Sequence, residues 1–207
     1  PAASPSVAAP VISTKTTLLI GRDAALQQLS EAWASAQSGN KQLLFVSAEA
    51  GVGKTALVQG WLGQQFLDAD NPTPCLLANA ACFDQHGSGE PYLPVLNALS
   101  SLLKAPQSDA VKQCLRQFAP SWYIQIPSLL TEAEQATLKQ ELFGVTTQRM
   151  LREFVDFIEA LSQQTPLLLC IEDLHWCDAA SLQLIMAWAQ RQSAGHYMLL
   201  GSFRSSV

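Results

Sequence analysis

Charge is the first thing this sequence lacks. Only 14% of its residues are charged, and the 12 Lys and Arg are scattered without a run, leaving a net charge of −5. That excludes a segment that wraps nucleic acid unaided, because neutralising phosphates requires clustered basic side chains. Also missing is any apolar window of the roughly 18 residues a membrane helix needs, so no membrane span is expected. The opening PAASPSVAAPVISTK has neither a charged start nor a long apolar stretch, which excludes a secretory signal. No C-x-x-C pair occurs among the five cysteines Cys75, Cys82, Cys114, Cys170 and Cys177. An odd number without metal-ligand spacing argues against a zinc site and for a reduced, cytoplasmic protein. Internal repeats are absent as well.

What is present is apolar substance, 48% hydrophobic residues in 207, enough for one substantial core with a helical insertion. Residues 1–16, rich in Pro, Ala and Ser, read as a flexible linker, and residues 17–207 as the folded core. A linker opening without an initiating Met suggests that a longer chain extends upstream. Apolar runs QLLFVS (42–47), CLLANAA (75–81), LLLCI (167–171) and YMLLGSF (197–203) have the near-continuous hydrophobicity of parallel strands covered on both faces. Between them lie helical patterns. Leu26, Leu29 and Trp33 share a face in a helix from 23 to about 36, and others are expected at 55–66, 91–104, 108–118 and 181–192. Ser108-Asp109 is expected to cap one of these, Thr131-Glu132-Ala133-Glu134 to open another, and Met150, Leu151, Phe154, Phe157, Ile158 and Leu161 to line a helix over 146–164. This alternation predicts an α/β fold, a three-layer sandwich with a mainly parallel central sheet. Its helical insertion falls between the second strand and the strand ending in Glu172-Asp173.

The loop after the first strand reads Ala48-Glu49-Ala50-Gly51-Val52-Gly53-Lys54-Thr55, the phosphate-loop pattern G-x-x-x-x-G-K-[ST] with Ala48 at the first glycine. Such a loop turns backbone N–H groups inward as an anion nest, here from Ala50 to Ala56, and the following helix adds its positive N-terminal end. Lys54 is the candidate for the β- and γ-phosphates, and the Thr55 hydroxyl the candidate magnesium ligand. The third strand delivers Glu172 and Asp173 at its end, as a Walker B element does: Glu172 stands at the magnesium-associated position and Asp173 at the water-activating one. Hydrolytic relatives commonly carry Asp before Glu, so the order is swapped, which predicts slow turnover. Arg204 follows the fourth strand. If that strand lies between the phosphate-loop strand and the acidic strand, the guanidinium faces the γ-phosphate. Asp178 is the candidate cap of the next helix, while Trp33, Trp61, Trp176 and Trp188 read as core or interface aromatics.

Taken in order, LLIGRDAAL, AEAGVGKT, GEPYLPVLNAL, LLLCIEDLHWCDAASLQLI and LLGSFR resemble the STAND class of signalling P-loop ATPases. The AAA-like module of large LuxR/MalT-like bacterial transcriptional regulators is the most similar type, over about residues 18–204. The resemblance implies that Gly21 and Arg22 lie against adenine and ribose. Ala25 stands where relatives often carry Glu, Pro91-Tyr92 matches a motif near the nucleotide cleft, and His175-Trp176 belongs to the LHW signature. It implies ATP/ADP and magnesium as cofactors, with other domains of the parent chain (a helical lid, a winged helix) and self-association on activation as partners. The function implied is a slowly hydrolysing nucleotide switch for a transcriptional or other effector output. A ring-forming AAA+-like remodelling motor and a non-hydrolysing nucleotide-bound scaffold are the alternatives.

Overall fold

A computed structural model describes residues 21–66, 75–84, 90–126, 129 and 146–205. The linker expected at 1–16 and the helix start at 131–134 lie outside these residues. The chain alternates as α1 (Asp23–Gln37), β1 (Gln42–Ala48), α2 (Lys54–Phe66) and β2 (Leu76–Ala81), followed by α3 (Leu93–Leu102), α4 (Ser108–Phe118) and α5 (Pro120–Tyr123). Then come α6 (Thr147–Gln164), β3 (Leu167–Glu172), a one-turn 3₁₀ helix (Leu174–Trp176), α7 (Ala179–Gln190) and β4 (Tyr197–Arg204).

The four strands form one all-parallel sheet in the order β1-β4-β3-β2. The fold is therefore the expected α/β sandwich, with α3 to α6 as the helical insertion between β2 and β3. β4 lies between the strand feeding the phosphate loop and the strand ending in Glu172, the order on which the reading of Arg204 depended.

Strand side chains alternate between two cores. Leu168, Cys170, Met198 and Leu200 pack on one face with Leu29 and Trp33 of α1 and Leu57, Val58, Trp61 and Leu62 of α2. Leu167, Leu169, Ile171, Tyr197 and Leu199 pack on the other with α3, α6 and α7. On that second face a train of rings, Tyr92–Trp122–Phe154–Trp188–Tyr197, runs with centroids 5.1, 5.2, 5.9 and 5.0 Å apart and ties the insertion to β4. The insertion is also held by polar contacts. The buried Glu153 accepts from Ser121 N at 2.8 Å and Arg149 Nε at 2.7 Å, and Trp122 Nε1 donates to Met150 O at 2.9 Å.

Some local expectations shift. Ser108 and Asp109 are the first turn of α4 rather than its cap; the N-cap is Gln107, with no side-chain cap bond. α7 starts at Ala179 because Asp178 accepts from Ser181 N at 2.9 Å, the capping expected of that residue. Trp33, Trp61 and Trp188 are buried as expected, but Trp176 is 43% exposed, because its 3₁₀ turn projects beyond the C-terminal end of the sheet.

Candidate functional site

The loop between β1 and α2 turns through two left-handed positions, Gly51 at φ 80° and Gly53 at φ 90°, which a side chain would strain. No heavy atom lies within 4 Å of a Cβ built on Gly51, so its glycine is required by the backbone turn rather than by crowding. Lys54, the first residue of α2, folds its ammonium over the loop. Its Nζ donates to Ala48 O at 2.7 Å and Glu49 O at 3.0 Å, holding a positive charge at the mouth of the loop. Thr55 and Ala56 follow in the first turn of α2, where N–H groups have no intrahelical partner.

Arg22, the residue before α1, reaches across to this loop and donates from Nη2 to Val52 O at 2.8 Å. Gly21, at φ 72°, sets the chain direction into that arginine. The Gly21-Arg22 pair and the phosphate loop, separated in sequence, are thus joined in space. A cavity of about 320 Å³ lies beside them, lined by Arg22, Ala25, Gln28, Val52, Gly53 and Lys54 among others.

Glu172 ends β3 on the α2 face, since Leu168 and Cys170 of the same parity pack there. It is only 4% exposed. Gln59 Nε2 donates to its Oε1 at 2.6 Å, and the Thr55 hydroxyl lies near enough to favour the charged carboxylate. Burial pushes the Glu172 carboxyl up, while Gln59 and Thr55 hold it back. The hydroxyl of Thr55 and the carboxylate of Glu172 are hard oxygen donors near each other, which fits magnesium. Among the described residues no group of three or more His, Cys, Asp and Glu could hold a metal. A magnesium ion here would therefore be completed by phosphate oxygens and water, the ion's ordinary habit.

Asp173 leaves the strand in the left-handed region (φ 57°, ψ 45°), its N–H donating to Ser202 Oγ of β4 at 3.2 Å. This turn separates the two acids: Glu172 is buried, whereas the Asp173 side chain is 36% exposed and lies 3.8 Å from His175 Nδ1. Both His175 ring nitrogens are buried without a hydrogen-bond partner, and the ring packs on Trp176 with centroids 5.1 Å apart. Arg204 ends β4 directly across from Ala48, at the root of the phosphate loop, and is exposed.

Two residues of this constellation escaped the sequence reading. Gln59 lies one helical turn beyond Thr55, a spacing that puts both on one face and could have flagged it. Ser202 lies two residues before Arg204 and so shares its strand face, but only the sheet order shows that it meets Asp173. Tyr92 takes a left-handed conformation (φ 65°) and its N–H donates to Asp178 Oδ1 at 3.1 Å, so Asp178 holds the start of α3 as well as that of α7.

A family model described as AAA ATPase domain matches residues 18–200. No curated protein matches the chain.

Proposed function

The chain belongs to the AAA ATPase domain family, and on that premise we propose that it binds ATP and ADP with magnesium and hydrolyses ATP slowly as a signalling switch. The observation that carries the proposal is that Glu172, held by Gln59 of α2, stands near Thr55, the residue after Lys54, while the Lys54 ammonium lies over the phosphate loop. In this reading Lys54 exchanges its loop carbonyls for the β- and γ-phosphates, and N–H groups from Ala50 to Ala56 surround them. Gly21 and Arg22 border the adenosine. Thr55 and Glu172 hold magnesium, which when bound neutralises charge on the phosphate oxygens. Gln59 keeps the Glu172 carboxylate aimed at Thr55. Asp173 orients the attacking water, and Arg204 senses the γ-phosphate. The exposed setting of Asp173 supports slow turnover, because general-base help depends on a held, desolvated geometry.

The STAND-like signature supports the finer reading, a switch that regulates a transcriptional or other effector output within a longer cytoplasmic protein. A switch of this kind works through a difference in ATP and ADP affinity between two states. No helix among the described residues is long and apolar enough to cross a membrane. Isothermal calorimetry with ATP and ADP, each with magnesium, tests the nucleotide site. Binding by the unaltered chain and its loss in Lys54→Ala is the expected result. Equal binding by both would overturn the assignment.

A further inference from the structure

On the side of β3 away from α2, a second cavity of about 270 Å³ opens at the ends of β2 and β3. Cys82 and Cys177 both line it, with Asp84, Asn97, His175 and Asp178. The pair is assembled by backbone geometry. Cys82 follows β2, and its N–H donates to Glu172 O at 2.8 Å, extending the β2–β3 ladder by one bond. Beyond Glu172 the chain turns left-handed at Asp173, makes the 3₁₀ turn, and returns in extended conformation at Cys177, whose N–H donates to Leu174 O at 3.0 Å. That return sets both sulfurs on the wall of the same cavity, close enough to influence each other's ionisation. The other three cysteines have no such neighbour among the interactions of the described residues, and Cys114 and Cys170 are buried.

We propose that Cys82 and Cys177 form a peroxide-sensitive dithiol site that closes an intramolecular disulfide on oxidation. Cys177 is the attacking sulfur: it is only half-buried whereas Cys82 is buried, so a peroxide entering the cavity reaches Cys177 first. The oxidant is a hydroperoxide, small enough for the cavity. The Cys177 sulfur attacks the peroxide oxygen, an S–O bond forms and the O–O bond breaks. The leaving oxygen takes the proton released by Cys177 and departs as an alcohol, or as water from hydrogen peroxide. The Cys82 sulfur then attacks the sulfur of the Cys177 sulfenic acid. The S–S bond forms as the S–O bond breaks, and the Cys82 proton leaves with the oxygen as a second molecule of water. Two thiols lose two electrons, and the peroxide gains them. The bridge would pin the 3₁₀ turn, with Asp173 and His175, to the end of β2.

The test is independent of nucleotide. The chain is exposed to hydrogen peroxide, its remaining thiols are blocked with N-ethylmaleimide, and the digest is mapped by mass spectrometry. The expected product is a peptide pair joined through Cys82 and Cys177, lighter by two hydrogens than the reduced pair and released by dithiothreitol. In Cys82→Ser the reaction should stop at a sulfenic acid on Cys177 that dimedone traps, and in Cys177→Ser the Cys82 thiol should stay reduced at the same dose. Alanine at either position serves where serine does not fold. Absence of the 82–177 bridge at peroxide levels that oxidise free glutathione, or bridges that join other cysteines or two chains, would overturn the proposal. The map of the unaltered chain is enough to decide.

Discussion

Replacing Glu172 with Gln should make the nucleotide-free protein more stable while disabling its magnesium site. Glu172 is 4% exposed, and burial raises its carboxyl even against the opposing influence of Gln59 and Thr55. A raised carboxyl in the folded state means that folding favours the protonated form. The stabilisation from this proton is complete below the unfolded value of about 4.3 and is lost as pH rises through the folded value, so at neutral pH the ionised group is a net cost. Each unit of elevation corresponds to about 1.4 kcal/mol. Glutamine removes that cost at nearly the same shape, and its new amide N–H can serve Gln59 Oε1, which is buried without a partner. The expected result is a variant more stable than the parent at pH 7, each kcal/mol of gain raising Tm by roughly 2–4 °C for a chain of this size. Urea unfolding at pH 7 and pH 4 measures it, and the advantage should shrink to near zero at the lower pH. A variant no more stable than the parent at pH 7, or equally advantaged at both pH values, would refute the reasoning. With ATP and magnesium present the advantage should narrow, because the variant lacks the part of the binding that magnesium adds.

Other perturbations have definite outcomes. Asp178→Ala removes the cap of α7 and leaves the buried Tyr92 N–H unpaired, so denaturant unfolding should show a loss of about 2 kcal/mol, with Asp178→Asn recovering much of it. Gly201→Ala would set a Cβ 2.5 Å from Leu174 Cδ1 and 2.8 Å from Phe45 Cδ1, where β4 passes closely under both side chains. Since both are side-chain ends and Phe45 is half-exposed, repacking should limit the cost to about 1–2 kcal/mol, read as a lowered Tm. Gln59→Leu should leave ATP affinity in EDTA unchanged and weaken the additional affinity that magnesium confers, as calorimetry with and without the metal would report. An equal loss under both conditions would show that Gln59 acts on the fold rather than on Glu172.

The sequence carried the strands well, because parallel strands covered on both faces are continuous apolar runs, and QLLFVS, LLLCI and YMLLGSF leave no other use for so much buried surface. The phosphate loop and the acidic strand end were legible for a related reason: each is contiguous in sequence. Relations that cross the chain were not legible. The bond from Arg22 to Val52, the seat of Asp173 on Ser202 and the meeting of Cys82 with Cys177 are all set by strand order and register, which no local pattern encodes. The cap expected at Ser108-Asp109 failed because good capping residues also serve in a first helical turn, where Asp109 favours the positive helix end.

The left-handed turn at Asp173 gives the unusual order of the two acids a conformational meaning. At φ 57° most side chains are strained by ~1 kcal/mol or more, and Asp and Asn tolerate the position best. Glutamate, with its longer side chain, has no such tolerance. At 172 the backbone is extended, and there the longer acid is the one that reaches Thr55 and Gln59 from the strand end. Each acid therefore stands where its length suits the chain, the short one at the bend and the long one on the straight. A sequence bearing them in the opposite order would need a different bend after β3. In this chain the choice between Glu-Asp and Asp-Glu is thus a matter of backbone shape as much as of acid strength.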